Sequence, residues 1–118
     1  MSITLSEDQL RFLRLHAQQL IPRRHGEMVG VTQVVKEACG IQAQEVSSAA
    51  LAIRVRSAGL VMGDVEQALV HNRTIIRTWG PRGTLHLLAS DDVGWLLSLL
   101  GPVFVAGDRR RLRILGGF

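Results

Sequence analysis

This sequence has a single cysteine, three prolines and one lysine. With Cys39 alone, neither an intramolecular disulfide nor a cysteine-built zinc site can form. The residue reads instead as a small hydrophobe at the end of an apolar helix face. The four histidines, His16, His25, His71 and His86, match no metal-ligand spacing, so no metal and no cofactor is expected. No apolar run approaches the roughly 20 residues that cross a bilayer. Met1-Ser2-Ile3-Thr4-Leu5-Ser6 has neither the basic start nor the long apolar stretch of a signal peptide. The chain reads as cytoplasmic, without a membrane partner. It also lacks internal repeats and low-complexity linkers, which leaves a single domain at 118 residues.

What is present is globular, because 47% hydrophobic with 20% charged residues separates it from disordered chains. A net charge of +4 is too modest to establish nucleic-acid binding. The make-up of that charge says more: thirteen of the fourteen basic residues are Arg, and Lys36 is the exception. Arginine offers a planar fork for phosphates and base edges, although a GC-rich coding sequence gives the same skew.

Ser6-Glu7-Asp8-Gln9 is a capping box, with Leu5 placed to staple onto Leu10. Leu10, Leu13, Ala17 and Leu20 follow at helical spacing until Pro22 stops the helix, and residues 22–26 form a basic loop. Val31, Val34, Val35 and Ala38 predict a second helix over 32–39, with Gly40 as its left-handed stop. A third helix runs from Ser47 or Ser48 to Ala58, with Leu51, Val55 and Ala58 as its buried stripe. A short fourth helix opens at Asp64, with Gln67 completing a second capping box.

The period then changes from helix to strand. Residues 75–79 and 84–88 form a hairpin around Gly80-Pro81-Arg82-Gly83, a type I turn with Pro81 first. Ser90 caps a further helix with an apolar face of Val93, Leu96, Leu97, Leu100 and Val103, which Gly101-Pro102 should end or kink. Three or four helices, then a two-stranded wing, is the order of a mainly α winged helix-turn-helix. The domain is expected to span 1–118, with its core at about 5–90 and a helical extension over 91–118. That extension ends in Arg109-Arg110-Arg111-Leu112-Arg113 and an apolar tail, as though the next segment began there. Its Leu-rich face should be covered by later segments or by self-association. Trp79 and Trp95 fit core packing.

Gln42 and Gln44 stand two residues apart just after Gly40. On an extended segment, though not on a helix, such residues point the same way. The plain alternative is a polar loop with two solvated amides. Read with Arg77-Thr78-Trp79-Gly80-Pro81-Arg82-Gly83-Thr84-Leu85-His86, the stretch Gly40-Ile41-Gln42-Ala43-Gln44 resembles the AlkZ-like DNA glycosylases. This bacterial family is built from winged-helix motifs and removes alkylated and crosslinked bases. The resemblance runs along nearly all of this sequence and covers the N-terminal part of the family's much longer chain.

The resemblance implies that Gln42 and Gln44, matching a Gln-x-Gln motif with an apolar middle residue, are the catalytic pair. An amide is no base at neutral pH. An N7- or N3-alkylated purine, however, already carries positive charge and leaves readily. The enzyme then needs chiefly to position a water and stabilise an oxocarbenium-like transition state, which aligned amide dipoles can do. Which glutamine holds the water stays open. Glu45 would face away from both and is left outside the set.

Double-stranded DNA is the expected partner, which makes the protein nucleoid-associated. Arg82 at the wing tip, Arg77 and His86 on the strands, and Arg54 and Arg56 on the third helix are the candidate contacts. Taken singly, each is better accounted for as a solubilising surface group; it is their clustering on the third helix and wing that points to DNA. The 118-residue chain is expected to lack activity by itself. Two other classes fit the same fold: a non-catalytic winged-helix regulator and a protein-interaction module.

Overall fold

The computed structural model describes residues 2–21 and 28–114. The basic loop read at 22–26 and the apolar tail at 115–118 lie outside the described residues. Helix α1 (Glu7–Ala17) begins where the sequence announces it. Ser6 N donates to Gln9 Oε1 at 2.9 Å and Gln9 N to Ser6 Oγ at 3.1 Å, satisfying two orphan amides reciprocally. The helix ends well before Pro22. Gln19 takes a left-handed conformation at φ 58, while Gln19 N donates to His16 O at 3.0 Å and Leu20 N to Leu15 O at 2.9 Å. This Schellman closure satisfies the last carbonyls without help from glycine or proline.

Helix α2 (Val31–Glu37) buries Val31, Val34 and Val35 and closes in the same way. Cys39 N donates to Lys36 O and Gly40 N to Val35 O, both at 3.1 Å. The left-handed residue is therefore Cys39 at φ 55, and Gly40 continues at φ 115. That turn carries Cys39 off the helix face and leaves it exposed, not packed as the sequence implied.

Gly40 delivers the chain into β1 (Ile41–Gln42), a strand additional to the expected hairpin. The hairpin consists of β2 (Ile75–Trp79) and β3 (Leu85–Ala89). The three form an antiparallel sheet in the order β1-β3-β2, with Ile41 and Arg77 both opposite Leu87, and Gln42 and Thr78 both opposite His86. Between β2 and β3, Arg82 sits at φ 61 and ψ 17. These are the dihedrals of the third position of a type II turn, not of the expected type I. With Gly83 also left-handed at φ 68, the chain curls back far enough for Gly80 N to reach Thr84 O at 2.9 Å.

Helix α3 (Val46–Arg54) buries Ala49, Ala50 and Ile53, whereas Leu51 and Val55 remain 57% and 58% exposed. The expected stripe through Leu51, Val55 and Ala58 is thus rotated. The small alanines let the helix backbone approach the core closely, and the bulkier residues turn outward. Helix α4 (Met62–Glu66) opens ahead of Asp64, whose carboxylate accepts from Val61 N at 2.8 Å. Gln67 does not cap; it donates to Asn72 Oδ1 at 3.2 Å across a π-helical turn, Gln67–His71. Val61 offers no capping oxygen, so the acid of the first turn carries the whole signal and displaces the apparent start.

Val34, Val35, Ile53, Val65, Ile75 and Leu87 are fully buried between α2, α3, α4 and the sheet. Each such side chain contributes about 1.5–3 kcal/mol. Helix α5 (Ser90–Ile114) does not end at Pro102 but continues past it. A proline within it forfeits one hydrogen bond, and helical turns on both sides sustain the element. It packs on β3 and β2 and buries Leu96. Trp95, placed in the core by the sequence reading, is half-exposed, as is Trp79. No helix among the described residues is long and apolar enough to cross a membrane.

Candidate active site

Alternation sets the geometry of the glutamine pair. Ile41 and Ala43 are buried at 6% and 0% exposure, while Gln42 and Gln44 are exposed. Gln42 is held in β1, whereas Gln44 lies at the bend between β1 and α3, so the two exposed amides flank a buried alanine but do not share the fully extended segment expected from the sequence. The central strand holds the segment as far as Ala43: Gln42 pairs with His86, and Ala43 N donates to Leu85 O at 2.7 Å. Helix α3 starts immediately afterwards with Glu45 as its N-cap residue, and Ser48 Oγ donates to Glu45 Oε2 at 3.4 Å.

The far edge of the sheet contributes the third part. Arg77 on β2 reaches across β3; its Nε donates to Ala43 O at 2.9 Å and its Nη2 to Gln44 O at 2.7 Å. Sequence reasoning placed Arg77 toward DNA and did not foresee this engagement. The available signal was the period-2 pattern of Ile41-Gln42-Ala43-Gln44, which marks a strand seeking a sheet partner.

His86 lies opposite Gln42 but is only 8% exposed, and its Nδ1 is 2.9 Å from Thr84 O. Gly80 backs it so closely that an added Cβ would lie 2.8 Å from Nδ1. Arg82 is exposed at the hairpin tip. With Trp79, Phe104 and Asp108 it lines a cavity of about 500 Å³ between the hairpin and α5. Arg54 ends α3, roughly 12 Å along the helix from Val46, and its Nε donates to Leu60 O at 3.2 Å. Arg56 lies beyond the helix end and is committed to the fold, with Nε on Gln18 O at 3.0 Å and Nη1 on Ala52 O at 2.7 Å. The structure thus brings Gln42, Arg77 and His86 to one sheet, with Gln44 just beyond β1, Arg82 at the β2–β3 turn, Arg54 at the far end of α3 and Arg56 past it. Among the described residues, no group of three or more His, Cys, Asp or Glu could hold a metal ion.

The family model for AlkZ-like DNA glycosylases matches residues 35–117. The chain belongs to the AlkZ-like DNA glycosylase family. Within that family, the interstrand DNA cross-link repair glycosylase of Streptomyces sahachiroi is 37% identical over 87 residues, covering 74% of this chain and 22% of that protein. The solved structure of Streptomyces sahachiroi DNA glycosylase AlkZ matches with a TM-score of 0.72 at 35% identity. That match covers 83% of this chain and 25% of the solved one. This AlkZ-like chain therefore spans about a quarter or less of the length of these relatives.

Proposed function

We propose that this chain supplies the water-positioning pair, and part of the duplex-binding surface, of a glycosylase acting on cationic alkylated or crosslinked bases in double-stranded DNA. In this reading residues 5–90 are a winged-helix unit, 91–118 are its helical extension, and the β2–β3 hairpin is the wing. The observation that carries the proposal is the placing of Gln42 and Gln44. They are two exposed amides flanking a buried alanine, Gln42 in β1 and Gln44 at the bend that leads into α3.

The chemistry follows from what amides can do. The bond from C1′ to the base nitrogen breaks, and its electron pair neutralises the positive charge on the base. Water forms the new bond to C1′ and releases its proton to solvent. Gln42 and Gln44 orient that water and present carbonyl dipoles to the cationic sugar. They need not ionise, which suits a leaving group that departs readily. Arg82 and Arg54 are assigned to phosphates. Arg56, Arg77 and His86 are held by main-chain carbonyls, and the two arginines add positive charge.

The test is single-turnover release of N7-methylguanine from duplex DNA by the full-length gene product. Gln44→Ala should slow release with DNA affinity nearly unchanged, and Gln44→Asp should slow it less, because a carboxylate also binds water and stabilises a cationic sugar. Full rates in both Gln42→Ala and Gln44→Ala would leave a plain DNA-binding module.

A further inference from the structure

We propose that Arg77 is a positioning residue that aims Gln44, and that its guanidinium serves the catalytic strand rather than a DNA phosphate. The inference rests on the glycosylase reading above. Neither the Gln42 nor the Gln44 side chain is hydrogen-bonded within the chain among the described residues, so each amide is aimed by its backbone alone. For Gln42 the register with His86 supplies that control. Gln44 lies beyond the last paired residue of β1 and before the first turn of α3, where neither element holds it.

Arg77 closes this gap. Its two donors engage consecutive carbonyls, Ala43 O at 2.9 Å and Gln44 O at 2.7 Å. These belong to the two peptide planes that meet at the Gln44 Cα, so one rigid planar fork fixes both backbone dihedrals of that residue. The preceding plane is held by Ala43 N on Leu85 O at 2.7 Å. A charged donor makes such bonds stronger than neutral pairs do. The clamp is also non-local, coming from the opposite edge strand. The core beneath it closes without it, since Ile41, Ala43, Ile75 and Leu87 are all buried. What the clamp controls is the direction of an exposed amide.

The experiment uses the full-length gene product with Arg77→Met, Arg77→Lys and Gln44→Ala. It reads single-turnover release of N7-methylguanine, duplex affinity over a salt series, and amide hydrogen exchange. Misplacing a reacting group by about 1 Å costs on the order of 10²-fold in rate, and Arg77→Met should approach that loss. Arg77→Lys keeps the charge but not the fork, so it should retain affinity and salt slope while recovering only part of the rate. Exchange at residues 44–46 should quicken in both variants, with Val35 and Leu87 unchanged. In a Gln44→Ala background, Arg77→Met should slow release no further.

Full-rate release by Arg77→Lys together with unaltered exchange at residues 44–46 would overturn the clamp. So would a variant that loses affinity and one phosphate's worth of salt slope while keeping its rate at saturation. If Gln44→Ala proceeds at full rate, the aiming role of Arg77 fails while the glycosylase reading is still decided by Gln42→Ala, and exchange in Arg77→Lys still decides whether the clamp exists. Should Arg77→Met not fold, the Lys variant carries each of these readouts.

Discussion

The stretch from α2 to β3 and the two helices that flank it follow the same sequence rules yet reach opposite states. In the middle, the elements meet on one shared apolar core: Val34, Val35, Ile53, Val65, Ile75 and Leu87 are at 0% exposure. At the front, α1 has a complete capping box and an apolar face but buries nothing; Leu10, Phe12 and Leu13 are 40–55% exposed. At the back, α5 buries Leu96 while Trp95, Leu99 and Val103 are 50–66% exposed. A periodic stripe thus states that a face is made to be covered, and the partner must come from elsewhere. The glutamine pair stands on the closed half, where rigidity is available to aim it.

The contrast can be broken most severely in the core. Ile53→Ala or Leu87→Ala should cost about 2–5 kcal/mol in urea denaturation. Leu13→Ala on α1 should stay within about 0.5 kcal/mol. Equal losses would mean that α1 is packed in solution. Next in size, Gly80→Ala drives a Cβ into the His86 ring at 2.8 Å, and overpacking of this kind costs about 1–3 kcal/mol. Gly63→Ala, with nothing within 4 Å of its Cβ, should be neutral or stabilising by up to about 1 kcal/mol. Thermal midpoints of the pair measure the close contact between Gly80 and His86.

On the open side, Ser6→Ala should remove about 1 kcal/mol from α1. It should register as lost helicity without a matching fall in the global midpoint. Open apolar faces also favour self-association. Light scattering should show mass rising with concentration, and Leu13→Lys with Leu99→Lys should abolish the rise; a strictly monomeric parent chain would contradict this. The smallest effect belongs to the β2–β3 turn. If Arg82 meets a phosphate as proposed, Arg82→Gly removes that contact and lowers the salt slope by about one. It also relieves a left-handed arginine that costs about 1–2 kcal/mol, so stability should hold or rise slightly.

These contrasts show how far residues alone carried the reading. Local rules located α1, α2 and the hairpin, because caps, valine periodicity and a Gly-Pro turn act within a few residues. They placed Leu51 and Val55 inward because bulk weighs more than alanine in a sequence pattern, although Ala49 and Ala50 allow the closest approach. Schellman ends at Gln19 and Cys39 carry no glycine signal at the decisive position. A two-residue strand such as Ile41–Gln42 is defined by its partner β3, far along the chain. For the same reason Gln42 and Gln44 were legible as a motif, whereas the Arg77 fork that meets them depends on a sheet order that only the fold supplies.

In the proposed mechanism two amides, Gln42 aimed by β1 and Gln44 by Arg77, perform the chemistry. This mechanism is tested most directly by Gln42→Ala, Gln44→Ala in the full-length gene product, measured for single-turnover release of N7-methylguanine from duplex DNA. Loss of such stabilising groups commonly costs on the order of 10²–10³ in rate, and somewhat less is expected for a base that departs readily. Slow release with unchanged DNA affinity and fold is the predicted result. Full-rate release by the folded double variant would contradict the account.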